Sequence, residues 1–220
     1  MNKRIWAAVR MNFIPGLILW FIGLLLVFCY YYLDDSRPWF DRVIEWKNNY
    51  GFLYSGISTA LFGGLIPYFF MYISRKGDSR VNWFQGIIFV FYWGLRGVDV
   101  DAFYRFQAWL FGSDNHWQTI MSKVLFDQFV YCIFWATPVT ALFYEWKEAN
   151  FSLNIRNSGS RFNGLKDKII IFMVSTWMVW IPATAIVYSL PSPLQIPLFN
   201  LTLCFFVLLV SVFSGKNQED

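Results

Sequence analysis

Four acids and two arginines stand inside otherwise apolar stretches of this chain, and they are its candidates for chemistry. The stretch KVLFDQFVYCIFWATPVTALFYEW, residues 123–146, opens on Asp127 and Gln128, carries Pro138 in its interior and ends on Glu145. At 3.6 residues per turn, Asp127, Tyr131, Phe134, Pro138 and Glu145 fall within a stripe about 60° wide. A carboxylate facing hydrocarbon is costly, so such a stripe should face other helices or a wet cavity. Upstream, RGVDVDAFYRFQAWLFG sets Arg96, Asp99, Asp101 and Arg105 among aromatic residues. Arg96 and Asp99 are spaced i,i+3. Asp101 and Arg105 are spaced i,i+4 with the acid first, the better order on a helix.

These residues admit two readings. In one they line an aqueous path, with Asp127 and Glu145 setting a preference for cations from its two ends and Arg96, Asp99, Asp101 and Arg105 at an entrance. Gln128 then ties helices together and Pro138 kinks its own. In the other, the arginine–aspartate sets are ion pairs at the boundary between membrane and water, and Asp127 caps a helix start or pairs with Lys123 one turn earlier.

Enzyme chemistry is poorly served. Asp99 and Asp101, joined by Asp127, have the donor type for a metal ion. The single histidine, His116, lies in a short polar loop, and neither H-E-x-x-H, G-x-S-x-G nor a phosphate-cradling glycine loop occurs. Nearby arginines already match the acids. The expectation is no enzyme, no cofactor and no metal. Cys29, Cys132 and Cys204 fall in three different apolar runs without ligand spacing, so neither a disulfide framework nor a zinc site is indicated. A net charge of +4, carried in short loops rather than a basic stripe, argues against a nucleic-acid partner.

The elements that must position these residues are membrane helices. Of the 220 residues, 57% are hydrophobic and only 15% charged, against about a quarter charged in a soluble domain. The apolar residues also come in blocks near the 20 that a hydrocarbon core demands. The predicted fold is all-α, a polytopic helical bundle of five to six crossings. Spans are expected at 13–33, 52–73, 81–111, 123–146, 169–190 and 198–213. The third is read as one crossing, with a separate interfacial helix as the alternative for its second half.

The run from Phe13 to Leu33 is longer than a signal-peptide core and ends in Tyr30-Tyr31-Tyr32, so it is expected to remain as a first helix. Ser36 before Pro38 predicts a helix start. Trp39, Phe40, Val43, Ile44 and Tyr50, opposite Asp41, Arg42 and Glu45, predict an amphipathic interfacial helix over 36–50. In the second span Gly56, Ala60, Gly63 and Gly64 form a small-residue face, and Pro67 is a kink candidate. Twelve of the eighteen basic residues fall on one side if both termini lie inside; the Asn150 sequon then falls on that same side.

Lys123 followed by Asp127-Gln128, then Pro138, and later Trp177, Trp180 and Pro182, is similar to the Mpv/PMP family of small peroxisomal and mitochondrial inner-membrane proteins. Gly97 with Phe103-Tyr104 upstream, and Pro191 with 206–211 downstream, extend the resemblance over about 46–214. It leaves 1–45 as an N-terminal transmembrane extension and 215–220 as a polar tail. Val98, Gln195 and Phe206 depart from the family's usual proline, arginine and tryptophan, and no Gly-Asp precedes a glutamine near Gly63-Gly64.

The resemblance implies an integral membrane protein with proposed roles as a channel or metabolite pore, and does not imply an enzyme. The alternative is a non-catalytic scaffold or assembly subunit, suited by the glycine face and the aromatic surplus. The expected partners are the lipid bilayer and small solutes or ions, with a homo-oligomer compatible. The membrane would be the cytoplasmic one in a bacterium, or a mitochondrial or peroxisomal one in a eukaryote.

Overall fold

The computed structural model of the chain describes residues 2–74, 83–148 and 165–216. The basic residues of 75–82, the Asn150 sequon with the rest of 149–164, and the Glu145 side chain lie outside the described residues. Within them every regular element is helical. Helix α1 (Asn2–Tyr32) leads through a 3-10 turn (Asp34–Ser36) to α2 (Arg37–Thr59), a π-helical stretch (Ala60–Leu65) and α3 (Ile66–Ser74). Helix α4 spans Trp83–Phe111. A continuous rod follows, made of α5 (Trp117–Phe126), a second π-helical stretch (Asp127–Ala136) and α6 (Thr137–Glu148). Helices α7 (Leu165–Tyr188) and α8 (Ser192–Lys216) complete six rods among the described residues.

The rods alternate in direction. Gly16 meets Val179 and Gly23 meets Ile186, so α1 and α7 run parallel in an extensive pairing. Gly97 abuts Ser55 and Thr59 while Gly64 abuts Val90, so α2 and α4 run antiparallel. Tyr31 Oη donates to the Ser189 carbonyl at 2.8 Å and Asn115 Nδ2 reaches Tyr31 Oη at 2.5 Å, which gathers three connections at one end. The first helix is thus packed into the bundle, and a boundary at 45/46 falls inside α2. Helix α4 is unbroken across the stretch that the sequence leaves divisible. It stops at Gly112, whose φ of 97° is open to glycine and whose N–H caps the Ala108 carbonyl.

Both π-helical stretches end just before a proline. The Ile66 N–H donates to the Leu61 carbonyl ahead of Pro67, and the Thr137 N–H to the Cys132 carbonyl ahead of Pro138, each five residues back. A proline ring clashes with the carbonyl four residues earlier and supplies no N–H. Widening the turn to i→i+5 moves that carbonyl aside and keeps the remaining donors paired. Proline alone does not dictate this outcome, since Pro15, Pro182 and Pro197 sit within continuous α-helix.

Residues 37–50 form the expected amphipathic helix, set off from the apolar run by Gly51 at φ 52°. Its inward face differs from the expected one. Phe40, Val43 and Ile44 pack on the core with Lys47 in the same helical phase. Trp39 and Tyr50 point away, 72% and 60% exposed. Ser36 stands at the helix start, but its hydroxyl donates backward, 2.7 Å from the Cys29 and Leu33 carbonyls.

Among the described residues three stretches are long and apolar enough to cross a membrane: Asn12–Tyr32, Asp34–Ile73 and Trp117–Tyr144. The 40 residues of the second are about twice what a bilayer core needs, and the Gly51 break divides them. The outer surface is apolar, with Phe21, Ile57, Phe69, Ile87, Phe91 and Phe134 all at least 60% exposed.

Candidate functional site

Between α4, the Asp127–Glu148 half of the α5–α6 rod, α7 and α8 lies a chamber of about 410 Å³. Helical phase brings α7 to it through Trp177, Trp180 and Thr184, three and four residues apart. Trp93, Tyr131 and Phe206 are among the further aromatic residues in the wall. The Trp177 indole N–H is buried there without an acceptor among the described residues, leaving a donor that a solute oxygen or a water would satisfy.

Asp127 is in the chamber wall and only 5% exposed. Its Oδ1 accepts from Gln128 Nε2 at 3.0 Å and Cys132 Sγ at 3.4 Å, and its Oδ2 from Tyr188 Oη at 2.5 Å. The wide π turn brings Cys132, five residues on, back over Asp127. The same change of period breaks the stripe drawn at 3.6 residues per turn, and Phe134 faces outward at 75% exposure. Asp127 does not cap a helix start either, because the ten residues of α5 precede it. Lys123 is not its ion-pair partner: Lys123 Nζ lies 5.9 Å from the Tyr188 ring centroid, and its carbonyl accepts from Gln107 Nε2 at 2.9 Å.

Across the chamber, Arg96 is paired with Asp99. Tyr131 Oη and Trp135 Nε1 also donate to that carboxylate, at 2.8 and 3.1 Å. The Arg96 guanidinium sits 5.8 Å from the Tyr131 ring centroid, and Phe103 stacks on the same ring at 3.9 Å. Tyr104 meets Tyr188 edge-on at 5.1 Å. The arginine's charge is therefore balanced within its own cluster. The Asp127 carboxylate has three hydrogen-bond donors around it and no cation among them.

Asp101 and Arg105 belong elsewhere. Asp101 faces α2, where its Oδ2 lies 2.5 Å from Lys47 Nζ and 2.8 Å from Ser55 Oγ. Arg105 Nε reaches its Oδ1 at 3.2 Å. The Gly51 carbonyl, turned out of the helix by that residue's backbone, accepts from Lys47 at 3.2 Å. Asp99 and Asp101 thus serve different neighbours and do not converge. Among the described residues no three of histidine, cysteine, aspartate and glutamate come together as a metal site would need.

The other sequence candidates have structural places. Gly97 is the point of closest approach between α2 and α4, where an added Cβ would come within 2.5 Å of Thr59. Pro138 ends the widened turn beside Thr137 in the chamber wall. Pro182 is inside α7, and Pro191 begins α8 through its carbonyl, which accepts the Leu194 N–H at 2.8 Å.

Sequence reasoning missed Lys47, Cys132, Tyr188 and Asn200. Lys47 shares the phase of Phe40, Val43 and Ile44, a legible signal. Tyr188 follows Thr184 by four residues on the chamber face of α7, equally legible. Asn200, which accepts from Thr59 Oγ1 at 2.8 Å and donates to Ser58 Oγ at 2.9 Å, had no local signal. No family model, no curated protein and no solved structure matches this chain, so its own geometry carries the functional reading.

Proposed function

We propose that this protein is an integral membrane bundle of six crossings, and that the chamber beside Asp127 is part of a permeation pathway for small cationic solutes. The observation that carries the proposal is the Asp127 carboxylate in an aromatic wall, with no ion-pair partner among the described residues, facing an arginine already neutralised by Asp99. Acidic side chains lining a pathway favour cations. Aromatic faces add attraction for organic ones. A volume near 410 Å³ falls in the range of small-molecule sites.

The apolar exterior supports a bilayer setting, and the basic residues support termini on the cytoplasmic or matrix side. The likeness to the Mpv/PMP family at Lys123, Asp127, Gln128 and Pro138 points the same way. The competing scaffold reading leaned on the glycine face of α2 and the stretch after it. Gly56, Gly63 and Gly64 are used within the chain, against Val98, Leu203 and Val90.

The test is conductance of the purified chain in a planar bilayer under a salt gradient, beside Asp127→Asn. A cation-selective current in the parent that loses selectivity in the variant supports the pathway. A silent bilayer from well-folded protein, with no uptake of organic cations into liposomes, rejects it in favour of the scaffold.

A further inference from the structure

A second concavity lies on the outside of the bundle, on another face of α4 from the chamber. It is an apolar groove of about 800 Å³ between α4 and the run from Phe52 through α3. Its floor is bare backbone where Gly56 and Gly94 face each other: a Cβ on Gly94 would meet the Gly56 carbonyl and Ala60 at 3.5 Å. Its rims are Leu53, Ile57, Ile87, Phe91, Leu95 and other outward-facing apolar residues. From Phe52 to Tyr72 it runs about 30 Å at 1.5 Å per residue, the thickness of a hydrocarbon core.

The end of the groove near Phe52 is charged. Lys47 and Arg105 share the single carboxylate of Asp101, so the cluster carries one excess positive charge. Lys47 and Asp101 are buried, with side chains 4% exposed. Arg105 is the accessible member at 53%. Its guanidinium lies 4.6 Å from the Phe52 ring centroid, at the groove's mouth. Arginine presents several N–H donors in a fixed plane, and Nε alone is spent on Asp101.

We infer that this groove is a binding site for an anionic phospholipid, whose phosphate is held by Arg105 and whose acyl chain lies between Phe52, Gly56, Ile57, Leu95 and Val98. The cation at one end and the wholly apolar trough below it match the two parts of such a lipid. Neither part alone would explain both features. The inference rests on the bilayer setting proposed above but not on permeation, and binding is measured separately from current.

The test is thermal unfolding and native mass spectrometry of the full chain in detergent, with phosphatidylglycerol, phosphatidylcholine or glycerol 3-phosphate added. The parent should retain phosphatidylglycerol about fivefold better than phosphatidylcholine, the preference expected for one basic residue at a membrane surface. It should melt higher with it, and glycerol 3-phosphate should do nothing. Arg105→Gln should abolish the preference, and Arg105→Lys should restore part of it. Leu95→Trp, on an exposed rim, should weaken both lipids by filling the trough.

Equal retention of the two lipids by the parent overturns the site, as does full stabilisation by glycerol 3-phosphate. So does an unchanged preference in Arg105→Gln. Chain-to-chain disulfides from Leu95→Cys in a background lacking Cys29, Cys132 and Cys204 would show a second copy in the groove and also overturn it. Should Arg105→Gln not fold, the headgroup comparison and Leu95→Trp still decide. A chain that binds the lipid yet passes no current rejects the pathway and leaves this site standing.

Discussion

Lys47 Nζ lies 2.5 Å from Asp101 Oδ2, across the crossing of α2 and α4 and fifty-four positions away in sequence. Both side chains are buried, so each holds the other's charge where water does not reach. Losing one partner of a buried pair costs about 3–5 kcal/mol, because the other is left uncompensated. Arg105 and Ser55 remain near Asp101 and soften the loss, so Lys47→Met should cost about 3 kcal/mol in detergent unfolding. Adding Asp101→Leu should recover most of it. A double variant no more stable than Lys47→Met would show that the pair is not the stabilising unit.

Gly97 marks where two helix backbones touch. A methyl group there would overlap Thr59 and the Ser55 carbonyl, whereas Gly94, one turn earlier, has ordinary van der Waals room for one. Overpacking costs about 1–3 kcal/mol. Gly97→Ala should therefore lower the melting temperature clearly and Gly94→Ala should not. Equal melting temperatures for the two would refute the close approach.

Pro138 contributes to the widened turn over 127–136, whose last N–H bonds five residues back just ahead of it. Pro138→Ala restores a backbone donor and removes the ring clash, so the rod should be free to revert to the α period. The variant should melt no lower than the parent while Cys132 rotates away from Asp127. Loss of cation preference with unchanged stability is the expected result in bilayer recordings. A variant that keeps full selectivity would separate the wide turn from the pathway.

Tyr188→Phe removes one hydrogen bond to Asp127 and leaves the ring against Tyr104 and Lys123. A hydrogen bond to a charged group contributes about 1.5–3 kcal/mol. Unfolding should reflect a loss of that order, and selectivity should change less than in Asp127→Asn, since the charge stays. A selectivity loss as large as that of Asp127→Asn would show that Tyr188, rather than the carboxylate alone, sets the preference.

Asp114, in the exposed turn before α5, is held below the usual aspartate range by hydrogen bonds from the Thr119 side chain and then the His116 N–H. A carboxylate depressed in the folded state stabilises above its unfolded pKa and loses that contribution as pH falls through the folded one. The start of α5 should therefore fray below about pH 4, seen as faster amide exchange at residues 116–119. Asp114→Ala should show fast exchange there at neutral pH and no further acid step.

The all-helical architecture was legible in residue order alone, because apolar block length and helical period are local properties. The amphipathic helix over 37–50 and the Arg96–Asp99 and Asp101–Arg105 pairs were legible for the same reason: partners three or four residues apart meet on any α-helix. Asp127 stood out as a carboxylate within an apolar run. Which groups surround it did not, since a turn of i→i+5 replaces the period on which its stripe was drawn. That turn carries Phe134 outward and brings Cys132 inward. The joining of Lys47 to Asp101, Tyr188 to Asp127 and Asn200 to Thr59 depended on which rods are neighbours. Apolar faces of similar composition leave that choice open until side-chain shape and the burial of polar groups act together in the packed bundle.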